Sequence, residues 1–447
     1  MLKKILVANR GEIALRIIRA AKELGIQTLA VYSKVDKDSL HVRFADESVC
    51  IGEAPSRKSY LFYQNILGAA GACNADAIHP GYGFLSENAD FAAACKALGI
   101  TFIGPSDDAI RKMGDKSLAR KLMIKAGVPV VPGTKNSITN LEEALTSASE
   151  IGYPLMIKAS AGGGGKGMRI VNSQKELDSK FTQAQHESEK AFGSDELYFE
   201  KYLPHSRHIE VQIIGDTHGN IVHLFERECT LQRQHQKLIE ESPCPILTEE
   251  QRSYICKTAV KAAKKVGYYS AGTVEFLYDI DSKQFYFMEM NTRIQVEHPV
   301  TEMISSIDLV KKQIEVAAGE KLGLSQKDIV HTGHAIECRI NAEDWEHNFR
   351  ASPGQITEYI PPGGLGIRVD SACCSGSYIF PYYDSLIAKL ISWGNDRDEA
   401  ILRMRRALDE FIISGIHTTI GFHKKILTHK NFISSDITTN FIDNLTI

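Results

Sequence analysis

The sequence predicts a multidomain protein of mixed class: an open α/β domain first, then a larger domain of hairpins and helices, then a mixed α+β domain. Three observations carry this. The first 114 or so residues repeat the order strand, glycine turn, helix, strand; long alternating strands then arrive in hairpins up to about Val330; and a chain of 447 residues exceeds one ordinary core.

In "KILVANRGEIALRIIRAAKELGIQTLAVYS" a strand from Ile5 to Ala8 meets a turn at Gly11. An amphipathic helix runs on through Glu23, Gly25 stops it, and a second strand spans Thr28 to Tyr32. "ADAIHPGYGFLSENADFAAACKALGITFIGPS" repeats that order with Gly99 as the stop, so the loops that could hold a ligand gather at the strand C-terminal ends. Gly11 stands alone in the first turn, which rules out the GxGxxG dinucleotide fingerprint. Beyond Gly114, helices are expected after capping boxes at Thr139…Glu142 and Ser173…Glu176. Between them fall two hairpins. In the first, Ile209, Val211 and Ile213 alternate with His208, Glu210 and Gln212 before a DTHGN turn; the second is "GTVEFLYDIDSKQFYFMEMNTRIQVE". The tail from His331 is rich in Gly and Pro and closes with the helical "RDEAILRMRRALDEF".

Composition narrows the function. With 43% apolar and 24% charged residues and a formal net charge of −3, the chain offers no field for nucleic acid or a membrane surface. The apolar run in "MLKKILVANRGE" is too short for a secretory signal, and no run approaches a membrane span, so a cytoplasmic location is expected. Nine scattered cysteines without a CxxC pair argue for reduced thiols rather than disulfides or zinc.

Four consecutive glycines in "KASAGGGGKGMRI" do not make a Walker A loop, because Ser160 and Gly167 stand where that motif needs Gly and Ser or Thr. Strand-like flanks make the stretch a hairpin lid. Successive backbone N–H groups there can face one concavity and bind phosphate oxygens, with Lys158 adding a compact charge. In "QFYFMEMNTRIQVEHP" the residues Phe285, Phe287, Glu289 and Asn291 share one parity, continued by Arg293, Gln295 and Glu297. Glu275 on the preceding strand can sit opposite. Two carboxylates and an amide oxygen suit Mg²⁺ bridging nucleotide phosphates. Arg293 can hold a planar oxyanion, and Glu297 can take its proton.

Together with "ANRGEIA", "HPGYGFLSEN", "QRQHQK", "HAIECRINAED" and "YYDSLIAKL", these motifs resemble biotin carboxylase, of the ATP-grasp superfamily, over essentially the whole chain. The resemblance implies a preATP-grasp (Rossmann-like) domain at 1–114, an ATP-grasp domain at 115–330 with a mobile lid at about 131–203, and a C-terminal domain at 331–447. It implies two stages: ATP phosphorylates bicarbonate to carboxyphosphate, and the carboxyl group passes to N1′ of biotin on a biotin carboxyl carrier protein. By motif, Lys116 and Lys158 would hold ATP phosphates under Gly164 and Gly165. Glu200, Lys201, Tyr202 and Leu203 would line the adenine pocket, with His208, Gln232 and His235 nearby. Glu275 and Glu289 would carry Mg²⁺ or Mn²⁺, supported by Asn291. Lys237, Arg293, Gln295 and Val296 would surround bicarbonate, Glu297 would be its base, Arg339 would stabilise the biotin enolate, and Tyr82 would touch the biotin ring.

The same resemblance implies a homodimer with Arg19, Glu23 and Arg368 at the interface. No biotinyl-lysine segment is present, so carrier and carboxyltransferase subunits are expected as separate chains. Acetyl-CoA carboxylase, and hence fatty acid synthesis, is the expected assembly. The alternatives are a pyruvate or propionyl-CoA carboxylase, another carboxyphosphate-forming ligase, or a silent ATP sensor.

Overall fold

A computed structural model describes residues 2–134, 136–160 and 168–445. In the N-terminal region five parallel strands lie in the order Glu47–Gly52, Gln27–Ser33, Lys4–Val7, Ala77–His79, Thr101–Phe102. The order reverses beside Lys4–Val7, where loops after the strand ends part to leave a crevice. The helix Gly11–Glu23 buries Ile13, Ala14, Ile17, Ile18 and Ala21, which recur at helical spacing. Gly25, at φ +73, takes the left-handed turn that ends it, as its sequence position predicts.

The centre of the molecule is one antiparallel sheet of eight strands: Gln284–Asn291, Ser270–Asp279, Ser206–Gly215, Ile221–Arg233, Gln236–Ser242, His334–Asn341, Leu386–Gly394, Ile367–Ser371. It runs straight past residue 330, since Gln236–Ser242 pairs with His334–Asn341 through Ile239 and Cys338. On one face, Ile209, Val211, Ile213, Val274 and Phe276 pack against the helix Glu249–Val266. That helix presents Ile255, Ala259, Ala262 and Val266 at helical spacing, and Gly267 turns left-handed after it. At its start, Thr248 and Gln251 cap each other's backbone, the one complete capping box among the described residues. Losing Phe276 to Ala would cost roughly 3–5 kcal/mol, the usual penalty for emptying such a core site.

The boxes expected elsewhere are displaced. Asn140, not Thr139, caps Leu141–Ile151 by accepting from Glu143 N. Ser173 is the first residue outside Gln174–Phe192 but its side chain caps nothing; Glu176 instead accepts from Asn172 N. These helices cover a separate three-stranded sheet ordered Arg169–Val171, Leu155–Ala159, Leu197–Lys201. Leu155–Ala159 and Arg169–Val171 pair antiparallel, so the glycine stretch does join two strands of a hairpin. Gly164 and Gly165 themselves lie outside the described residues. No described helix is long and apolar enough to cross a membrane.

Candidate active site

The other face of the central sheet is polar and, along its middle strand, fully buried. Every residue of Ser206–Gly215 is buried, including Glu210 and Gln212, which a solvent-facing strand would expose. Arg227 makes that tolerable: it donates to Glu210, Gln212, Thr301 and Thr273 at 2.6–3.2 Å, a fork with each arm satisfied.

On this face the expected carboxylates meet. Glu275 and Glu289 are directly paired across Ser270–Asp279 and Gln284–Asn291. The strict parity expected of Phe285, Phe287, Glu289 and Asn291 does not hold. The register slips between the Glu275 and Phe276 pairs, so Met290 joins Phe285 and Phe287 in the core and Glu289 and Asn291 turn to the opposite face. The strand also stops at Asn291. Arg293 and Gln295 sit in an irregular turn, and Glu297 precedes the helix His298–Ser305 as its N-terminal cap residue. The convergence survives, by hydrogen bonds rather than by pleat: Asn291 Nδ2 and Gln295 Nε2 reach Glu275 Oε1 at 2.8 and 3.1 Å, and Arg293 donates to Gln295 at 2.8 Å and Asn291 at 3.1 Å.

Lys237 is the hub. Its Nζ lies 2.5 Å from Glu210, 3.1 Å from Glu275 and 2.7 Å from Glu297. Glu297 also receives Arg339 Nη2 at 2.8 Å. Burial would push Glu297 up, but Lys237 and Arg339 overcome that and the neighbouring Glu210, and hold it below the usual carboxylate range. It is therefore an ionised base. Glu289 goes the other way, raised by burial and then by Glu275. His208 Nε2 lies 3.0 Å from Glu275; despite burial, that carboxylate lifts the ring to about 9.

A divalent cation fits between Glu275 and Glu289 on donor chemistry: two hard carboxylates stand in direct register, and one of them is driven toward protonation by the other. A second grouping, His208, Glu210 and Glu275, brings three ligand atoms within 4.8 Å, but the His208 ring, lifted to about 9 by Glu275 despite burial, is a cation there rather than a ligand. Beside Glu289, a cleft of about 200 Å³ is lined by Lys116, Met288, Asn291 and Glu87.

The other expected residues are more dispersed. Lys158 Nζ pairs with Glu200 on the adjacent strand, and Arg120 reaches Glu200 at 3.2 Å. Lys201 Nζ donates to Tyr153 O at 2.9 Å, Tyr202 OH accepts from Asn440 at 3.2 Å, and Leu203 O accepts from Ser206. Gln232 pairs with Lys237 in register and folds back on Cys229 O. His235 is exposed in the hairpin turn at φ +64. Val296 O accepts from Lys389 Nζ at 3.0 Å. Tyr82 donates to Glu12, which Lys389 meets at 3.1 Å, and Lys389 pairs in register with Arg339 on the adjacent strand, so the N-terminal crevice touches the central sheet beside Arg339. Arg19, Glu23 and Arg368 line a separate cleft of about 310 Å³ with Arg16 and Glu302.

Sequence reasoning missed Glu87. Its carboxylate accepts from Thr292 N at 3.0 Å and Arg293 Nε at 2.9 Å, tying the first domain to the oxyanion arginine. Glu210, Arg227, Glu240 and Lys389 were missed too. Polar side chains at alternate positions, His208, Glu210 and Gln212, in an otherwise apolar strand are the signal the sequence offers for Glu210.

A sheet floor of acids around a lysine hub, in a chain that also carries a strand hairpin with Lys158, suits a ligase that uses ATP. The family models agree: "Biotin carboxylase, N-terminal domain" matches residues 1–110, "Carbamoyl-phosphate synthase L chain, ATP binding domain" 115–325, and "Biotin carboxylase C-terminal domain" 337–444. Biotin carboxylase 1 of Bacillus subtilis is 58% identical, covering 99% of this chain and 98% of that protein. A pyruvate carboxylase subunit of Methanothermobacter thermautotrophicus is 54% identical, covering 99% and 90%. The crystallised biotin carboxylase domain dimer of Hydrogenobacter thermophilus 2-oxoglutarate carboxylase, in complex with MgADP, ADP and bicarbonate, matches with a TM-score of 0.94 at 52% identity, covering 99% and 97%. The chain belongs to the biotin carboxylase family, and is an ATP-dependent ligase.

Proposed function

We propose that the chain phosphorylates bicarbonate with ATP and transfers the resulting carboxyl group to N1′ of biotin on a separate carrier protein, as the first half-reaction of acetyl-CoA carboxylase. The observation that carries this is Glu297, an ionised carboxylate clamped between Lys237 and Arg339 one turn of chain from Arg293.

Bicarbonate is a poor electrophile because its carbonyl is resonance-stabilised. Phosphate on one of its oxygens makes a leaving group, so most of the work is positioning and charge neutralisation. In this reading Arg293 and Gln295 orient the anion, Glu297 accepts its proton, and Lys237 offsets the charge gathered there. Lys116 and Lys158 hold phosphate oxygens, with Gly164 and Gly165 closing from above. Glu275, Glu289 and Asn291 would hold Mg²⁺ or Mn²⁺, which supplies charge neutralisation across the nucleotide phosphates. Arg339 then faces the ureido oxygen of biotin as N1′ becomes nucleophilic, with Tyr82 against the ring.

Dimerisation through Arg19, Glu23 and Arg368 is part of the proposal; the Hydrogenobacter relative is described as a dimer. Acetyl-CoA carboxylase is preferred because the 58% identical Bacillus relative is named a biotin carboxylase with no keto acid in its name, whereas the pyruvate and 2-oxoglutarate carboxylase relatives favour a keto-acid acceptor. Bicarbonate-dependent ADP release should rise when free biotin is added. Indifference to biotin would point to another carboxyphosphate-forming ligase, and no ADP release at all to a silent nucleotide sensor.

A further inference from the structure

The strand His334–Asn341 carries Arg339 on the face turned toward Glu297, and Glu337, two residues earlier, stands on that same face. Across the ladder Glu240 pairs directly with Glu337, which sets their Cβ atoms about 5 Å apart. Both residues are 0% exposed. Glu240 accepts Arg339 Nε at 2.6 Å through one oxygen; its other oxygen and both oxygens of Glu337 have no hydrogen-bond partner among the described residues. Two ionised carboxylates so placed would repel in a low-dielectric interior with three unsatisfied oxygens between them. One proton removes the repulsion and joins two of those oxygens.

We propose that Glu337 is held as the neutral acid and donates its O–H to the free oxygen of Glu240, so that the locked carboxyl pair aims the Arg339 guanidinium at Glu297. This rests on the biotin carboxylase reading of the site and adds a positioning residue to it. The charges around the pair fit. Arg339 on the same strand and Lys389 on Leu386–Gly394 are the cations acting on Glu337, while Glu297 and Glu240 add negative charge. Lys389 is already bonded to Val296 O and Glu12. Arg368 and Asp370 on Ile367–Ser371 pair with each other, and Arg368 with Glu302 of the covering helix His298–Ser305. His298 of that helix is kept neutral, by burial and then by Lys389. Burial accordingly raises Glu240 to about 7 and Glu337 well above the usual carboxylate range. Ionising Glu337 would put a second negative charge behind Arg339 and draw the guanidinium away from Glu297 and from an enolate oxygen forming beside it.

The test is the pH profile of kcat/KM for free biotin in the full-length enzyme, read as bicarbonate-dependent ADP release. The unsubstituted enzyme should lose activity on the alkaline side as Glu337 ionises. Glu337→Gln, which keeps a donor but cannot ionise, should move that loss upward by about one pH unit or more. Glu337→Ala, which removes the donor, should lower kcat/KM about ten- to a hundredfold, as a misaimed group does. A protonated-carboxyl infrared band should be present in the unsubstituted enzyme, and the Glu337→Gln difference spectrum should show one such carboxyl lost. An alkaline limb unmoved in a Glu337→Gln enzyme of unchanged melting temperature overturns the proposal, and so does absence of the band, which needs no variant to fold. Lack of any biotin stimulation in the unsubstituted enzyme would instead strike the reading of the site, since the part of the band lost on substituting Glu337 reports on the carboxyl pair alone.

Discussion

The floor of the central sheet and the hairpin sheet that carries Lys158 hold their charges in opposite ways. In the floor, Lys237, Glu297, Glu275 and Arg227 are nearly or wholly buried and each is bonded to several partners from other strands. In the hairpin sheet the charges are sparser: Lys158 has Glu200 as its one ion-pair partner among the described residues, and its side chain is 24% exposed. Burial follows suit, complete along Ser206–Gly215 but alternating along Leu155–Ala159. The floor is preorganised and the hairpin is exchangeable. A floor residue therefore cannot be removed without leaving a buried charge unpaired, while a hairpin residue trades one partner for another at small cost.

Substitutions should sort by that contrast. The largest effect belongs to Arg339→Ala, expected to lower biotin-dependent turnover about 10²- to 10³-fold, the usual loss for one preorganised donor. Biotin-independent ADP release should fall much less. Glu87→Gln comes next: it weakens the clamp on Arg293 without emptying the floor, so KM for bicarbonate should rise about tenfold, as for a loss of roughly 1.4 kcal/mol. Equal losses in KM for bicarbonate and for ATP would show that Glu87 merely holds the domains together. Glu200→Gln, in the hairpin, should be the mildest, shifting KM for ATP a few-fold and leaving kcat near its original value.

A pH titration sharpens the same contrast away from the chemistry. Glu241 lies under the floor between Arg397 and His334; burial alone would raise it, but those two partners, Arg397 foremost, bring it down to about 2. Its contribution is therefore full above the ordinary carboxylate range and lost as pH falls through about 2. Arg397→Met should lower stability near neutral pH, by up to about 3 kcal/mol. The gap from the unsubstituted protein should narrow in acid. A gap that stays constant down to that pH would mean the ion pair contributes nothing.

What could be read from the sequence was local. The helix Gly11–Glu23, the glycine hairpin and the pairing of Glu275 with the Glu289 strand all follow from periods and turns within about thirty residues. The slip that turns Glu289 away from Phe287 leaves no mark on the alternation, because a bulge conserves composition while reversing faces. The carboxyl partners Glu87, Glu240 and Glu337 were hidden for another reason. Each meets its arginine or its fellow acid through strand pairing or a domain contact, and those contacts join residues about a hundred or more positions apart. Thr139 was mistaken for a cap because Asn140 and Glu143 carry the same signal one step on.

The account depends on bicarbonate attacking ATP through its own oxygen inside this floor. Bicarbonate labelled with ¹⁸O, turned over with ATP and biotin, tests that directly: the account predicts one labelled oxygen in the inorganic phosphate released. Unlabelled phosphate, its new oxygen taken from water, would contradict it.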